Sequence, residues 1–159
     1  MGLSADIVGR HYRHPECYEV GREKIREHAI AVKNDDACFR DESAAAALGH
    51  DSLLAPLTFI CIFGYQAQIA MFEDAGIVIS DAQIVQVDQG LKFLSPIKAG
   101  DKLHCDVYVE SFRQAHGTDI IMTKNIITND RGEVVQEAYT TLAGRTGEDG
   151  REGFSDGGS

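Results

Sequence analysis

The chain has 159 residues, a length typical of one domain built around a single hydrophobic core. Its formal net charge of -10 would repel a phosphate backbone, which argues against nucleic acid as a partner. The first residues show no basic segment followed by a long apolar run, so no signal peptide is expected. The four widely spaced cysteines suit reduced thiols. These features predict a cytoplasmic protein.

One spacing near the N-terminus could suggest a metal site. His11, His14 and Cys17 recur every three residues, but Pro15 would break the helix needed to align them. The favoured interpretation is an ordinary N-terminal arm that holds no metal.

Two short helices are predicted in the first third of the chain. In VGREKIREHAIAVKN, residues 20–34, the apolar residues Ile25, Ala29 and Val32 recur at helical spacing among charged residues. In DESAAAALG, residues 41–49, acidic residues stand at the N-terminal end, where they favour the helix dipole, and Gly49 supplies a stop.

A longer helix is predicted over APLTFICIFGYQAQIAMFEDAG, residues 55–76, with Pro56 in its first turn and Gly76 at its C-terminal end. The helix is apolar on nearly all sides through Tyr65. Because the apolar run at residues 53–65 is shorter than the roughly 20 residues that span a bilayer, the helix is expected in the protein core.

After residue 82 the hydrophobic period changes to two, the period of half-buried strands. The residues predicted to share one strand face are Val85, Val87, Leu91 and Phe93 in the first strand and Leu103, Cys105, Val107 and Val109 in the second. Turn-forming residues in SPIKAGD (95–101) and NDRG (129–132) predict antiparallel connections.

Helices followed by consecutive antiparallel strands predict an α+β fold in which a sheet wraps one long central helix, the hotdog arrangement. One such domain is expected over residues 1–145. Residues 146–159 are rich in glycine and charge, which predicts a flexible tail with Phe154 as its one aromatic residue able to dock.

Four segments resemble the MaoC-like hotdog dehydratases, in the same order along the chain. They are LLAPLTF (53–59), QIVQVDQGLKF (83–93), SPIKAGDKL (95–103) and YTTLAGR (139–145). The resemblance covers nearly all of residues 4–149. Within the family, the chain is most similar to the non-catalytic A-type subunits of mycobacterial (3R)-hydroxyacyl-ACP dehydratases, which pair with a catalytic B-type subunit. This implies a hotdog partner and dehydration of a (3R)-hydroxyacyl group to the trans-2-enoyl form in type II fatty acid (mycolic acid) elongation.

Catalytic members of the family move protons with an Asp and a His five residues later, and this chain departs from that pattern. The segment to compare is residues 34–41, where three registers are possible. They give the pairs Asn34–Phe39, Asp35–Arg40 and Asp36–Asp41. Neither phenylalanine nor arginine can act as a base near neutral pH. The acidic residues are instead predicted to cap the following helix or to face solvent.

The family also uses a backbone N–H at the start of the central helix to polarise the thioester carbonyl. The matching residues are Ala55 and Pro56, and proline has no N–H to donate. Both departures predict that this chain kept the fold and has no catalytic residues of its own.

One face of the central helix is the predicted ligand-binding surface. Spacings of three and four place together Leu57, Cys61, Gly64, Tyr65, Gln68 and Phe72. Gly64 weakens the helix by up to about 1 kcal/mol, which indicates close approach by another backbone or by an acyl chain. The predicted substrate-binding residues are Cys61, Gly64, Tyr65 and Gln68, with Gln86 on the neighbouring strand. They would line a long apolar tunnel; ordinary core or dimer packing is the alternative.

Cys61 lies near the positive end of this helix, where the pKa of a thiol can fall, so a reactive thiol and a buried inert thiol both stay open. His50 and His104 are predicted on polar faces and His116 in a turn. None of them is a strong catalytic candidate.

Two functional classes stay open. A dehydratase subunit would form a heterodimer, bind the long acyl chain carried by acyl carrier protein, and stabilise its catalytic partner without any cofactor or metal. An acyl-thioester binding module or a thioesterase-like protein would act as a homodimer, a state that an isolated dehydratase subunit could also adopt. A thioesterase would want an acidic residue near the middle of the central helix, and none occurs between Leu57 and Phe72.

Overall fold

A computed structural model of the chain describes residues 3–147 and 151–157. The helices are α1 (Arg22–Ala31), α2 (Glu42–Ala47) and α3 (Cys61–Asp74). The strands are β1 (His11–Arg13), β2 (Tyr18–Glu19), β3 (Ile77–Ile79), β4 (Ile84–Phe93), β5 (Lys102–Ala115), β6 (Thr118–Asn129), β7 (Val134–Arg145) and β8 (Phe154–Asp156). A short 3-10 turn, Leu57–Ile60, leads into α3. The three predicted helices are confirmed.

Six strands form one antiparallel sheet against α3. Their order is β1-β5-β6-β7-β4, and β2 pairs with another part of β5. Phe63, Ala67 and Met71 of α3 are buried in the same core as Val107 and Ile121 of the sheet. The predicted hotdog arrangement is confirmed, and it leaves β4 at one edge of the sheet.

Local signals set the ends of the helices as predicted. The Asp41 carboxylate accepts hydrogen bonds from the backbone N–H groups of Ser43 and Ala44 and caps α2. Gly49 and Gly76 follow α2 and α3 with φ of +89° and +70°, a conformation that costs glycine little. In the described residues, no helix has the length and apolar character needed to cross a bilayer.

The two predicted strand faces have different outcomes. The β5 residues Leu103, Cys105, Val107 and Val109 are all buried, as predicted. The β4 face is buried only in part: Val85 and Val87 are 60% and 56% exposed and Phe93 is also exposed, whereas Leu91 is half-buried and packs against the core. β4 pairs with β7 on one side only, and its register shifts between Gln86 and Asp88. An edge strand with a bulge therefore turns apolar side chains outward that a regular inner strand would bury.

The C-terminal segment corrects the expectation of a flexible tail for residues 151–157. β8 pairs with β3, and Phe154 is completely buried, with its ring centroid 5.6 Å from that of Phe72. The Phe154 ring lies so close to Gly144 that a Cβ there would come within 2.6 Å of it. Composition predicted flexibility because it does not show that Phe154 packs on Phe72, a residue far away in the chain. Residues 148–150 and 158–159 of the predicted tail lie outside the described residues.

Replacing Phe154 with alanine should lower the free energy of unfolding by about 3–5 kcal/mol, since the change leaves a cavity in the core. The matched large-to-small control is Leu48→Ala at a site that is 62% exposed, where a change of less than about 0.5 kcal/mol is expected. Urea denaturation of both variants measures the difference. Equal stabilities for the two variants would show that the C-terminal segment is not part of the core.

Candidate functional site

Residues 34–41, the segment compared with the catalytic Asp and His of the family, are held by packing and ion pairs. Phe39 ends a 3-10 turn and packs against the hydrophobic core. Arg40 donates hydrogen bonds to the carbonyl of Asn34, at 3.1 Å, and to the carboxylate of Asp35, at 2.9 Å. Asp41 caps α2, and hydrogen bonds from the Ser43 hydroxyl and backbone lower the pKa of its carboxyl. Two of the acidic residues thus have structural partners.

The start of the central helix offers no free amide at the two matching residues. The N–H of Ala55 donates to the carbonyl of Ile97 at 2.8 Å, and Pro56 has no N–H. Neither residue therefore has a backbone N–H free to polarise a thioester carbonyl, the role that the resemblance implies for this position in a catalytic relative.

Between these two features lies a cleft of about 380 Å³, here called the Phe39 cleft. Its lining includes Cys38, Phe39, Pro56, Leu57, Phe93 and Leu94. Cys38 is the one ionisable side chain among the described residues that line it, and burial raises the pKa of that thiol. The Phe39 cleft can hold an apolar group, and near neutral pH its lining has no group suited to proton transfer.

All five predicted substrate-binding residues meet at a second cavity, here called the polar cavity, of about 190 Å³. Cys61, Gly64, Tyr65 and Gln68 reach it from α3, and Gln86 from β4. Sequence reasoning missed five further lining residues: Ile60, just before α3, and the strand residues Gln89, Asn125, Ala138 and Thr140. The last four lie on strands under and beside α3, and their strand alternation could have placed them on the inner face.

Hydrogen bonds tie the lining of the polar cavity together. Gln68 donates to the Thr123 hydroxyl at 2.9 Å, and Gln89 donates to the Cys61 sulfur at 3.6 Å. Gln86 in turn donates to Gln89 at 3.3 Å. The cavity is small and partly polar, unlike the long apolar tunnel expected, because strands of the sheet contribute Gln86, Gln89, Asn125 and Thr140 to its lining.

The group that approaches Gly64 is a side chain, rather than the backbone or acyl chain expected. Asn125 of β6 donates its amide N–H to the carbonyl of Gly64 at 3.0 Å, and a Cβ at Gly64 would lie 3.3 Å from that nitrogen. The other polar atom of Asn125, Oδ1, is buried without a hydrogen-bond partner among the described residues. Such an atom is a strong candidate to meet a donor group.

The Cys61 thiol is not activated by its place near the helix start. Burial raises its pKa, and the hydrogen bond from Gln89 offsets this only in part. Burial also raises the pKa of the Cys105 thiol, to about 12. Of the two alternatives for Cys61, the structure favours the inert thiol.

One imidazole and one carboxylate from distant parts of the chain do come together. The His11 Nε2 atom lies 2.7 Å from Asp106 Oδ1, and Arg13 donates to the other carboxylate oxygen at 2.8 Å. Asp106 alternates with the core-facing residues of β5, so this pair lies on the outer side of the sheet, where His11 stacks on Tyr108. Neither His11 nor Asp106 lines any of the five cavities found among the described residues.

The remaining histidines lie outside these cavities or have local partners. His116 has φ of +50° in the turn between β5 and β6, as predicted, and His104 pairs with Asp130 at the surface. His14 pairs with Glu16. No group of three or more His, Cys, Asp or Glu side chains in the described part of the chain is placed to hold a metal ion.

Comparison with known proteins gives consistent matches. A family model described as "FAS1-like, dehydratase domain region" matches residues 6–138. A UPF0336 protein of Mycobacterium tuberculosis is 69% identical over 157 residues, covering 99% of both chains, and a second UPF0336 protein of that organism is 47% identical over 148 residues, covering 93% of this chain and 89% of the relative. A chain in the crystal structure of the C-terminally truncated HadBC (3R-hydroxyacyl-ACP dehydratase) complex from M. tuberculosis superposes with a TM-score of 0.81, at 47% identity, covering 89% of this chain and 100% of that one.

The thiols should react with iodoacetamide in an order set by exposure and pKa. Cys17 is exposed and should be alkylated first. Cys61 should follow slowly, and Cys105 should stay unmodified in the folded protein because its pKa of about 12 leaves almost no thiolate at pH 8. Time-resolved mass spectrometry of alkylated peptides measures the order. Labelling of Cys61 before Cys17 would restore the reactive-thiol alternative.

Proposed function

The chain belongs to the family of FAS1-like dehydratase domain regions, with the MaoC-like hotdog fold, and we propose that it is the non-catalytic, acyl-binding subunit of a heterodimeric (3R)-hydroxyacyl-ACP dehydratase. In this role it holds the long acyl chain and stabilises a catalytic hotdog partner, which removes water to give the trans-2-enoyl thioester. Type II fatty acid (mycolic acid) elongation in the cytoplasm is the setting that we propose for the reaction.

The observation that carries the proposal is that residues 34–41 contain no Asp–His pair and are held instead by packing and ion pairs. Elimination of water from a β-hydroxyacyl thioester needs a base for the C2 proton and an acid for the departing hydroxyl. None of the three registers over residues 34–41 gives an Asp–His pair, and Phe39 in this segment packs against the core. The proton-transfer groups are therefore assigned to the partner, and no metal or redox cofactor is invoked.

The His11–Asp106 pair is the one arrangement in the described residues that resembles an acid–base dyad, and its position argues against catalysis. Its carboxylate is already shared with Arg13, which holds the negative charge in an ion pair. A general base must reach the proton it abstracts, and the pair borders none of the described cavities where a thioester could lie. A structural role in joining β1 to β5 fits these contacts better.

The partner surface is proposed at the free edge of β4. An unpaired strand edge has N–H and C=O groups ready to extend a sheet. Around it lie Val85, Val87 and Phe93 of β4 with Leu57 and Tyr65 of the central helix segment, all exposed. Exposed apolar side chains in one region are typical of protein interfaces. The solved HadBC neighbour is itself a complex of hotdog subunits, which supports a second hotdog chain as occupant.

Two comparisons support an A-type subunit. The chain is 69% identical to one M. tuberculosis protein but only 47% identical to the chain of the HadBC complex that it matches. A subunit distinct from that one fits this difference. The net charge of -10 offers little attraction for an acidic carrier protein, so the basic docking surface is assigned to the partner.

Hydration of a trans-2-enoyl thioester, the reverse reaction, tests the division of labour. The purified chain alone should show only the background rate, and a complex reconstituted with a B-type catalytic subunit should be active. A His11→Ala variant of this chain should support the same activity in the complex as the native chain. Loss of the enoyl absorbance measures the rate. Activity of the chain alone that disappears in His11→Ala would assign catalysis to the His11–Asp106 pair.

Filling the polar cavity tests the acyl-binding role. Cys61→Phe places a large side chain where the cavity lies and should weaken binding of octanoyl-pantetheine to the complex by at least about tenfold, the loss expected when two methylenes at roughly 0.8 kcal/mol each are displaced. Gln66→Phe, at an exposed position of α3 that does not line the polar cavity, is the control. Calorimetric titration gives both affinities. Equal binding by both variants would place the acyl chain elsewhere.

A further inference from the structure

We infer that another cavity, beyond Tyr65, binds the distal, methyl end of the acyl chain, and that the C-terminal strand β8 helps to form it. This inference rests on the proposed function, since it extends the acyl site that begins in the polar cavity. This cavity beyond Tyr65 is here called the apolar groove.

The apolar groove has a volume of about 540 Å³ at the C-terminal end of α3. Its apolar lining includes Ile69 and Phe72 of α3 and Ile77 and Ile79 of β3. Glu73 and Asp81 also line it. Because β3 contributes mainly aliphatic side chains, the groove suits a hydrocarbon far better than a polar ligand.

Tyr65 lines both the polar cavity and the apolar groove, so the two meet at this side chain. Along α3 the polar cavity uses Cys61 and Gln68, and the apolar groove uses Ile69 and Phe72, on successive turns of one helix face. The span from Cys61 to Phe72 is about 16 Å at 1.5 Å per residue. The Tyr65 side chain is therefore the wall that the two spaces share.

The polar cavity alone is too small for a long acyl chain. The polar cavity, at about 190 Å³, is smaller than the roughly 300 Å³ at which small-molecule sites usually begin. A thioester with a long chain would fill it and extend beyond. The adjoining apolar groove is larger and more apolar, and each methylene buried there improves affinity about fourfold, from roughly 0.8 kcal/mol.

The C-terminal segment holds the walls of the groove in place. Gly157 lines it and donates its N–H to the carbonyl of Gly76 at 2.8 Å. β8 pairs with all three residues of β3, which line the groove, and Phe154 packs against Phe72 from the core. The segment therefore shapes the space left for the end of an acyl chain.

The test uses the full chain in complex with its catalytic partner and a series of octanoyl-, dodecanoyl- and hexadecanoyl-pantetheine, with affinities from calorimetric titration. For the native complex, hexadecanoyl-pantetheine should bind at least about tenfold more tightly than octanoyl-pantetheine. Burial of only two of the additional methylenes, at about fourfold each, would give a gain of this size. Ile69→Trp fills the groove and should remove this gain while leaving octanoyl affinity unchanged. Ile30→Trp, the same change at an exposed site on α1, should keep the gain.

Thermal unfolding checks that the variants are folded, and Val78→Phe, at an exposed lining position, narrows the groove if Ile69→Trp does not fold. Tight hexadecanoyl binding that survives filling of the groove, or a native complex that gains nothing beyond octanoyl, overturns the inference and leaves the proposed function standing. A native complex that binds none of the three ligands overturns both.

Discussion

The close packing of α3 on the sheet is the constraint on which the other features depend. At Gly64 the helix comes near enough for the Asn125 side chain to donate to a helix carbonyl at 3.0 Å, and a side chain at residue 64 would crowd that amide. This contact fixes how deep α3 lies, with Phe63, Ala67 and Met71 in the core. With those faces buried, Tyr65 points outward, and the polar cavity is the space left on either side of Gly64.

The contacts of residues 34–41 suit the proposed non-catalytic role. A catalytic Asp and His would need water or polar partners at the start of the central helix, because isolated charges are costly to bury. Here Phe39 packs on the core, Arg40 neutralises Asp35, and Ala55 uses its N–H in the fold. The Phe39 cleft is apolar as a result, and its exposed Leu57 and Phe93 adjoin the free edge of β4. In the proposed role, the subunit contributes shape and surface rather than proton transfer.

The sequence predicted the architecture well because its signals are local. Helical spacing, the Asp41 cap, the glycines after α2 and α3, and the alternation in β5 each act over a few residues, and each is found as predicted. The five predicted substrate-binding residues line one cavity because helical spacing and strand register are also local, and their binding role stays a prediction.

The failures involve residues far apart in the chain. The docking of Phe154 depends on Phe72, and the approach to Gly64 depends on Asn125. The outward turn of Val85 and Val87 follows from the place of β4 at the sheet edge, which single-strand periodicity cannot show. The polar character of the cavity comes from inward-facing residues of strands that read as ordinary alternating runs.

The most direct test concerns which chain supplies the proton-transfer groups. The native chain is combined with a catalytic subunit whose acid–base histidine has been replaced by alanine, and hydratase turnover of the purified complex is measured. We expect turnover to fall to background while the complex still forms and still binds acyl-pantetheine. Turnover that persists in that complex would mean that this chain brings catalytic groups of its own, and its assignment as the non-catalytic subunit would be wrong.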